Sequence, residues 1–149
     1  MIFCILLYAS AALPSFNNLW NDPVTKMSPR EIENKLGGNL KGLSNYCCVR
    51  VSHALISASH PITRESDYKD KNGNKYIIRV KTMKEYLTNK YGSPIDVTKE
   101  TAKGKRGIII FDVSGWSDAT GHADLWDGNN CAYQEYWNKA SKVHLWECH

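Results

Sequence analysis

Cys47 is the residue in this chain best placed to do covalent chemistry. It opens the segment Cys47-Cys48-Val49-Arg50-Val51-Ser52-His53-Ala54-Leu55-Ile56, where Cys47, Val51, Ala54, Leu55 and Ala58 recur at helical spacing. Asn45 stands where it can cap the first turn. A cysteine at a helix start gains from the unpaired N–H groups and the helix dipole, which favour thiolate. The same N–H groups can stabilise an oxyanion. A thiolate nucleophile also needs an imidazole presented by a second element. Of the five histidines, His122 fits best, early in an apolar run after the small residue Gly121. Against this stands a plainer reading, in which a buried Cys in an apolar helix is inert packing.

Other constellations fail on spacing. Asp70-x-Asn72-Gly73 hints at a calcium loop, but Tyr68 and Arg79 occupy positions that should supply ligands. His53, His60 and the cysteines lack zinc-finger spacing, and no glycine-rich phosphate motif is present. No cofactor is expected. Trp116, Trp126 and Trp146 read as core, not as a sugar platform.

The elements that must position Cys47 and His122 are legible in outline. Phe16 to Trp20 reads as a short helical turn. Ser28-Pro29-Arg30-Glu31 is a helix start with a capping box, and Gly37-Gly38 is its stop. Pro61 ends the Cys47 helix, and Asn72-Gly73 marks a turn. Tyr76-Ile77-Ile78-Arg79-Val80 predicts a strand, and Thr82-Met83-Lys84-Glu85 a second capping box for a helix ending at Tyr91-Gly92. Lys99 to Gly107 reads as a basic loop. Gly107 to Val113 is apolar enough for a central strand. Gly121 to Gly128 predicts a strand running into a turn, and Val143 to Trp146 a last strand. Helices first and strands later predict an α+β fold with a mainly antiparallel sheet.

The chain has 149 residues, consistent with one domain able to bury a core. Its net charge is +4 and its pI near 8.8, which suits an anionic partner such as a bacterial wall. The basic residues are scattered and not interleaved with aromatics, so nucleic acid is not the expected partner. Met1 to Tyr8 is apolar and Ala9-Ser10-Ala11 has the form of a cleavage site. Residues 1–11 therefore read as a signal peptide too short to span a bilayer, and 12–149 as the functional domain. With the leader removed, Cys47, Cys48, Cys131 and Cys148 remain. If Cys47 is a catalytic thiol, one disulfide among the other three fits an oxidising compartment; Cys131 with Cys148 is the first choice, and the pairing stays open.

Several motifs in order carry a more specific message. Asn45-x-Cys47-x-Val49-Arg50-x-Ser52 and Gly121-His122-x-Asp124-Leu125-Trp126-Asp127-Gly128 resemble the type VI secretion amidase effector family 4. So do Phe16-Asn17-Asn18-Leu19-Trp20, Gly37-Gly38-Asn39, the Arg79 to Gly92 segment and Ala140 to Trp146. The resemblance spans about residue 15 to the end. It implies a papain-like, NlpC-type fold, with the nucleophile helix packed on the sheet. It also implies hydrolysis of the γ-D-glutamyl–meso-diaminopimelate bond in peptidoglycan stem peptides, as an antibacterial activity. Carried over by position, Cys47 is the nucleophile and His122 the base. The family's third residue, an Asp, falls on Tyr133 here. Gln134, one residue on, is the favoured substitute, and Asp124, on the strand face of His122, is the alternative.

The implied partner is peptidoglycan, with an inhibitor or immunity protein if the chain is bacterial. The expected state is a monomer with no stable membrane insertion. The leader implies a secreted, domesticated homologue; without it, the chain is an effector delivered into the periplasm of a target bacterium. Two competing functions are a catalytically weak or dead wall-binding protein and a cysteine protease acting on proteins.

Overall fold

The computed structural model describes residues 10–115 and 121–149. The signal peptide expected over 1–11 lies almost wholly outside them, and Trp116 lies outside as well. In chain order the elements are α1 (Phe16–Trp20), a 3₁₀ turn (Pro23–Lys26), α2 (Pro29–Leu36), α3 (Cys47–Ser57) and α4 (Val80–Tyr91). Then come β1 (Ile95–Asp96), α5 (Lys99–Ala102), β2 (Gly107–Asp112), β3 (Gly121–Trp126) and β4 (Lys142–Glu147). The strands form one sheet in the order β1-β4-β2-β3, and every pairing is antiparallel. This is the α+β fold expected.

The central strand β2 is apolar on both faces because both are covered. Ile108 and Ile110 join Ala123, Leu125 and Trp146 on the face that meets α3 and α4. Ile109 and Phe111 join Trp126, Val143 and Leu145 on the other, which packs on Tyr136, Trp137 and Ala140. A third cluster links α2 and the 3₁₀ turn to the outer side of α3, through Val24, Ile32, Leu36, Leu40, Tyr46, Val49 and Tyr76. Helix α3 is therefore buried on two sides. That is why its run from Cys47 to Leu55 is mostly apolar.

Local signals place most of these elements. Ser28 and Glu31 form the expected capping box, with Glu31 N–H donating to Ser28 Oγ (3.3 Å) and Ser28 N–H to Glu31 Oε2 (2.8 Å). The helix stops at Gly37, whose φ is 62°. Three expectations are corrected. Tyr76 to Arg79 is not a strand. The buried Ser52 hydroxyl on α3 accepts from Ile77 N–H (3.1 Å) and donates to Ile77 C=O (3.2 Å), taking the groups a ladder would have used. Helix α4 opens at Val80, ahead of the Thr82–Glu85 signal, and no side chain caps it. The basic loop from Lys99 also begins with a turn of helix, capped by Thr98.

The expected Cys131–Cys148 disulfide is absent: all four described cysteines are free. The sheet explains it. Cys148 packs in the cluster on the α3 face and Cys131 against the opposite face. Among the described residues no helix is long and apolar enough to cross a membrane.

Candidate active site

Strand β3 is an edge strand, and its free edge receives the first turn of α3. The turn ahead of α3 is fixed by Tyr46, whose hydroxyl lies 2.6 Å from Leu40 O and 2.7 Å from Glu33 Oε1 and accepts from Leu43 N–H at 3.3 Å. Asn45 Oδ1 accepts the Cys47 N–H at 2.9 Å, so Asn45 ties down the helix start as its type suggested. On β3, Ala123 and Leu125 face α3, while His122 and Asp124 point to the other face by the two-residue period. Gly121 permits this pairing, because a Cβ there would run into the Phe111 carbonyl oxygen on β2.

At that edge Cys47 and His122 meet. Both are buried, at 2% and 5% exposure. His122 Nε2 lies 2.8 Å from Asp124 Oδ2, which leaves Nδ1 as the ring nitrogen for the thiol. The Tyr136 ring stands edge-on to the imidazole at 5.0 Å, and the Phe111 ring lies 6.3 Å away. Asp124 is itself held from several sides. Its Oδ1 accepts from Leu125 N–H (2.8 Å) and Tyr133 N–H (3.3 Å), and its Oδ2 from Tyr133 N–H (3.3 Å) and Gln134 N–H (2.9 Å).

The expectation for Gln134 is thus corrected in geometry. The partner of His122 is the Asp124 carboxylate. Gln134 is an exposed residue that touches the system only through its main-chain N–H, which donates to that carboxylate. Tyr133, at the position of the family's Asp, also contributes a main-chain N–H while its ring turns to Arg50.

The electrostatics suit a thiolate–imidazolium pair. The Cys47 thiol is held well below its ordinary range. The Cys48 thiol is the first contributor, its sulfur 3.9 Å away; burial opposes, and the hydrogen bond and charge of His122 and the Ala123 N–H add to the lowering. Sulfur is a weak donor, so the His122 charge is the cause that matters physically. His122 moves the other way. Burial disfavours its charged form, but Asp124 and Cys47 together push it up to about 9. The remaining thiols are raised: Cys48 by Cys47 and by burial, Cys131 mainly by burial, and Cys148 by burial to about 12. Cys47 is the one thiol among the described residues held below its ordinary range. Among them, no three His, Cys, Asp or Glu side chains are arranged to hold a metal ion.

Sequence reasoning missed the main-chain donors, Ala123 at the sulfur and Tyr133 and Gln134 at Asp124. It also missed the Tyr136 ring. Main-chain groups carry no residue-type signal; the approach of α3 to β3 reveals the Ala123 donor, and the loop's return to the same edge reveals those of Tyr133 and Gln134.

Fold and site together define a class: an α+β protein in which a helix-borne cysteine meets a strand-borne histidine at the edge of an antiparallel sheet. Within it, the family model described as type VI secretion system (T6SS), amidase effector protein 4 (Tae4), matches residues 43–146. The chain belongs to that family. The effector Tae4 from Salmonella Typhimurium, solved as an effector–immunity complex with Tai4, is 32% identical with a TM-score of 0.82, over 91% of this chain and 99% of that one. The same effector in complex with the immunity protein Tai4 from Enterobacter cloacae is 31% identical, with a TM-score of 0.81 and the same coverage. Tae4 from Enterobacter cloacae, solved as the effector, is 29% identical with a TM-score of 0.83, over 95% of this chain and 100% of that one. No curated protein matches.

Proposed function

We propose that this protein is a cysteine amidase of NlpC type that cuts the γ-D-glutamyl–meso-diaminopimelate bond of peptidoglycan stem peptides. The observation that carries the reading is His122, set between the Cys47 sulfur and the Asp124 carboxylate at the N-terminus of α3. Cys47 thiolate attacks the amide carbon, forming a C–S bond and an oxyanion. Main-chain N–H groups in the first turn of α3 stabilise that oxyanion. The intermediate collapses, the C–N bond breaks, and the leaving amine takes the proton from His122 Nδ1. Neutral His122 then removes a proton from water, the hydroxide attacks the thioester, and the free acid leaves as thiolate is restored. Asp124 holds the imidazole orientation and favours its charged form.

Family membership supports an antibacterial effector acting on the wall, delivered into the periplasm of a target cell. A secretory leader at 1–11 would bring the same enzyme to the wall from outside. The effector–immunity complexes of the relatives support a protein inhibitor as partner. The retained Asp124 speaks against a dead wall-binding protein, since the imidazole has an orienting carboxylate although Tyr133 stands at the family's usual position.

The test is digestion of purified diaminopimelate-type sacculi, with released fragments identified by mass. Fragments ending at γ-glutamate, with matching amino-terminal diaminopimelate peptides, support the reading. Cleavage elsewhere in the stem would move the specificity. Digestion of a denatured protein but not of sacculi would favour a protease.

A further inference from the structure

Arg50 is a buried arginine that the mechanism does not use. It lies three residues after Cys47, on the adjoining turn of α3, and is 5% exposed. Its Nε donates to Met27 O at 3.0 Å, which anchors the guanidinium from below. Above it lies the Tyr133 ring, 3.5 Å from the guanidinium carbon to the ring centroid. That distance makes a tight cation–π stack, and a planar guanidinium covers a ring in a way that an ammonium cannot.

Tyr133 belongs to the loop that returns along the free edge of β3. Ala132 N–H donates to Leu125 O at 2.9 Å, and there the loop's main-chain pairing with β3 stops. The next two N–H groups, of Tyr133 and Gln134, point instead at the Asp124 carboxylate. Tyr133 is 41% exposed, so packing from the solvent side does little to hold it.

We propose that Arg50 is a positioning residue: by stacking on Tyr133 it fixes the N–H groups of Tyr133 and Gln134 against Asp124, and so sets the carboxylate that orients His122. One helix then fixes both ends of the catalytic unit, the nucleophile directly and the imidazole through a loop. The guanidinium is covered by Tyr133 and reaches little solvent, so it is not offered as a substrate contact. The groups around His122 are Asp124 on its own strand, Cys47 on α3 and Tyr136 on the following loop, and the Arg50 charge is felt by both Asp124 and Cys47. The consequence for turnover rests on the amidase reading above; the consequence for the imidazole does not.

The experiment is the His122 titration, followed by NMR on nitrogen-labelled histidine without substrate, beside kcat and KM on muropeptides. Tyr133→Leu breaks the stack at an exposed site. His122 should then lose its proton at lower pH than in the wild type, and kcat should fall roughly ten- to hundredfold with KM little changed. Tyr133→Phe keeps the stack and should titrate like the wild type. Arg50→Lys keeps the charge but not the planar stack, and should behave like Tyr133→Leu. The double variant should cost no more than either single change. If Arg50 acts only as a nearby cation, Arg50→Met will raise the His122 pKa and Tyr133→Leu will leave it unmoved, which overturns the proposal. Losses that multiply in the double variant overturn it too. An inactive wild type whose His122 titration still falls in Tyr133→Leu would refute the amidase reading and keep the clamp.

Discussion

Asp124 carries two loads at the residue scale. It must accept the His122 N–H, and it must stay fixed while the imidazole gains and loses charge. Four main-chain contacts from three residues hold it, against one side-chain contact to His122. Asp124→Asn should therefore cost activity on the order of ten-thousand-fold, as neutralising the orienting carboxylate of a related triad does. Gln134→Ala should keep most of the activity, because only its main chain is used. Steady-state rates on sacculi check both, and a silent Asp124→Asn would contradict the assignment.

The pH profile follows from the same three residues. In the proposed mechanism the reactive form has Cys47 deprotonated and His122 protonated. Cys47 is lowered by its neighbours, so activity should already be rising below the ordinary thiol value of about 8.5. His122 is raised to about 9, so activity should fall as pH passes through that region and the imidazolium loses its proton. kcat/KM measured from acid to alkaline pH should give a bell. A single rise near the free-thiol value would mean that no ion pair forms.

At the scale of elements, α3 is where sequence and structure agree best. Helical spacing and the position of Cys47 at the helix start are readable, because they are local properties of one segment; Asn45 was expected to cap the helix, but Tyr46 holds the cap position and Asn45 accepts the Cys47 N–H from one residue further out. The strand of His122 was readable too, since its alternation reflects the two faces of one ladder. The segment Tyr76 to Arg79 was not. Its residues are apolar and β-prone, but the main-chain groups of Ile77 are taken by a side chain on α3, and no property of the segment itself reports that. Asp124 was visible as a same-face neighbour of His122, yet a carboxylate two residues away on a strand has no signal that separates partner from bystander. The returning loop separates them, and its approach to β3 depends on the whole sheet.

That α3 tie can be measured. Ser52→Ala leaves the Ile77 N–H and C=O without a partner in a site with no solvent exposure. A loss of about 1–3 kcal/mol is expected from leaving such groups unpaired. It should read as a lower denaturant midpoint with unchanged slope. An unshifted midpoint would show that the segment finds other partners.

For the whole molecule, the sheet decides what the cysteines can do. Cys131 and Cys148 looked like a pair in sequence because both lie in the last part of the chain. The sheet puts them on opposite faces, and among the described residues no disulfide joins any two cysteines. Activity should also depend on compartment. A chain of residues 12–149 exported to the periplasm of a diaminopimelate-type bacterium should lyse the cells, whereas the same chain kept in the cytoplasm should not. Equal toxicity in both compartments, read from growth curves, would point to a target other than the wall.

The central claim is that Cys47, and not the sulfur beside it, is the nucleophile. The Cys48 sulfur lies 3.9 Å from that of Cys47, yet Cys47 alone meets His122 and the Ala123 N–H. The direct measurement is digestion of purified sacculi by the wild type, Cys47→Ala and Cys48→Ala, with folding of each checked by circular dichroism. Cys47→Ala should release no peptide, and Cys48→Ala should release nearly as much as the wild type. Release by a folded Cys47→Ala protein, or loss confined to Cys48→Ala, would contradict that claim.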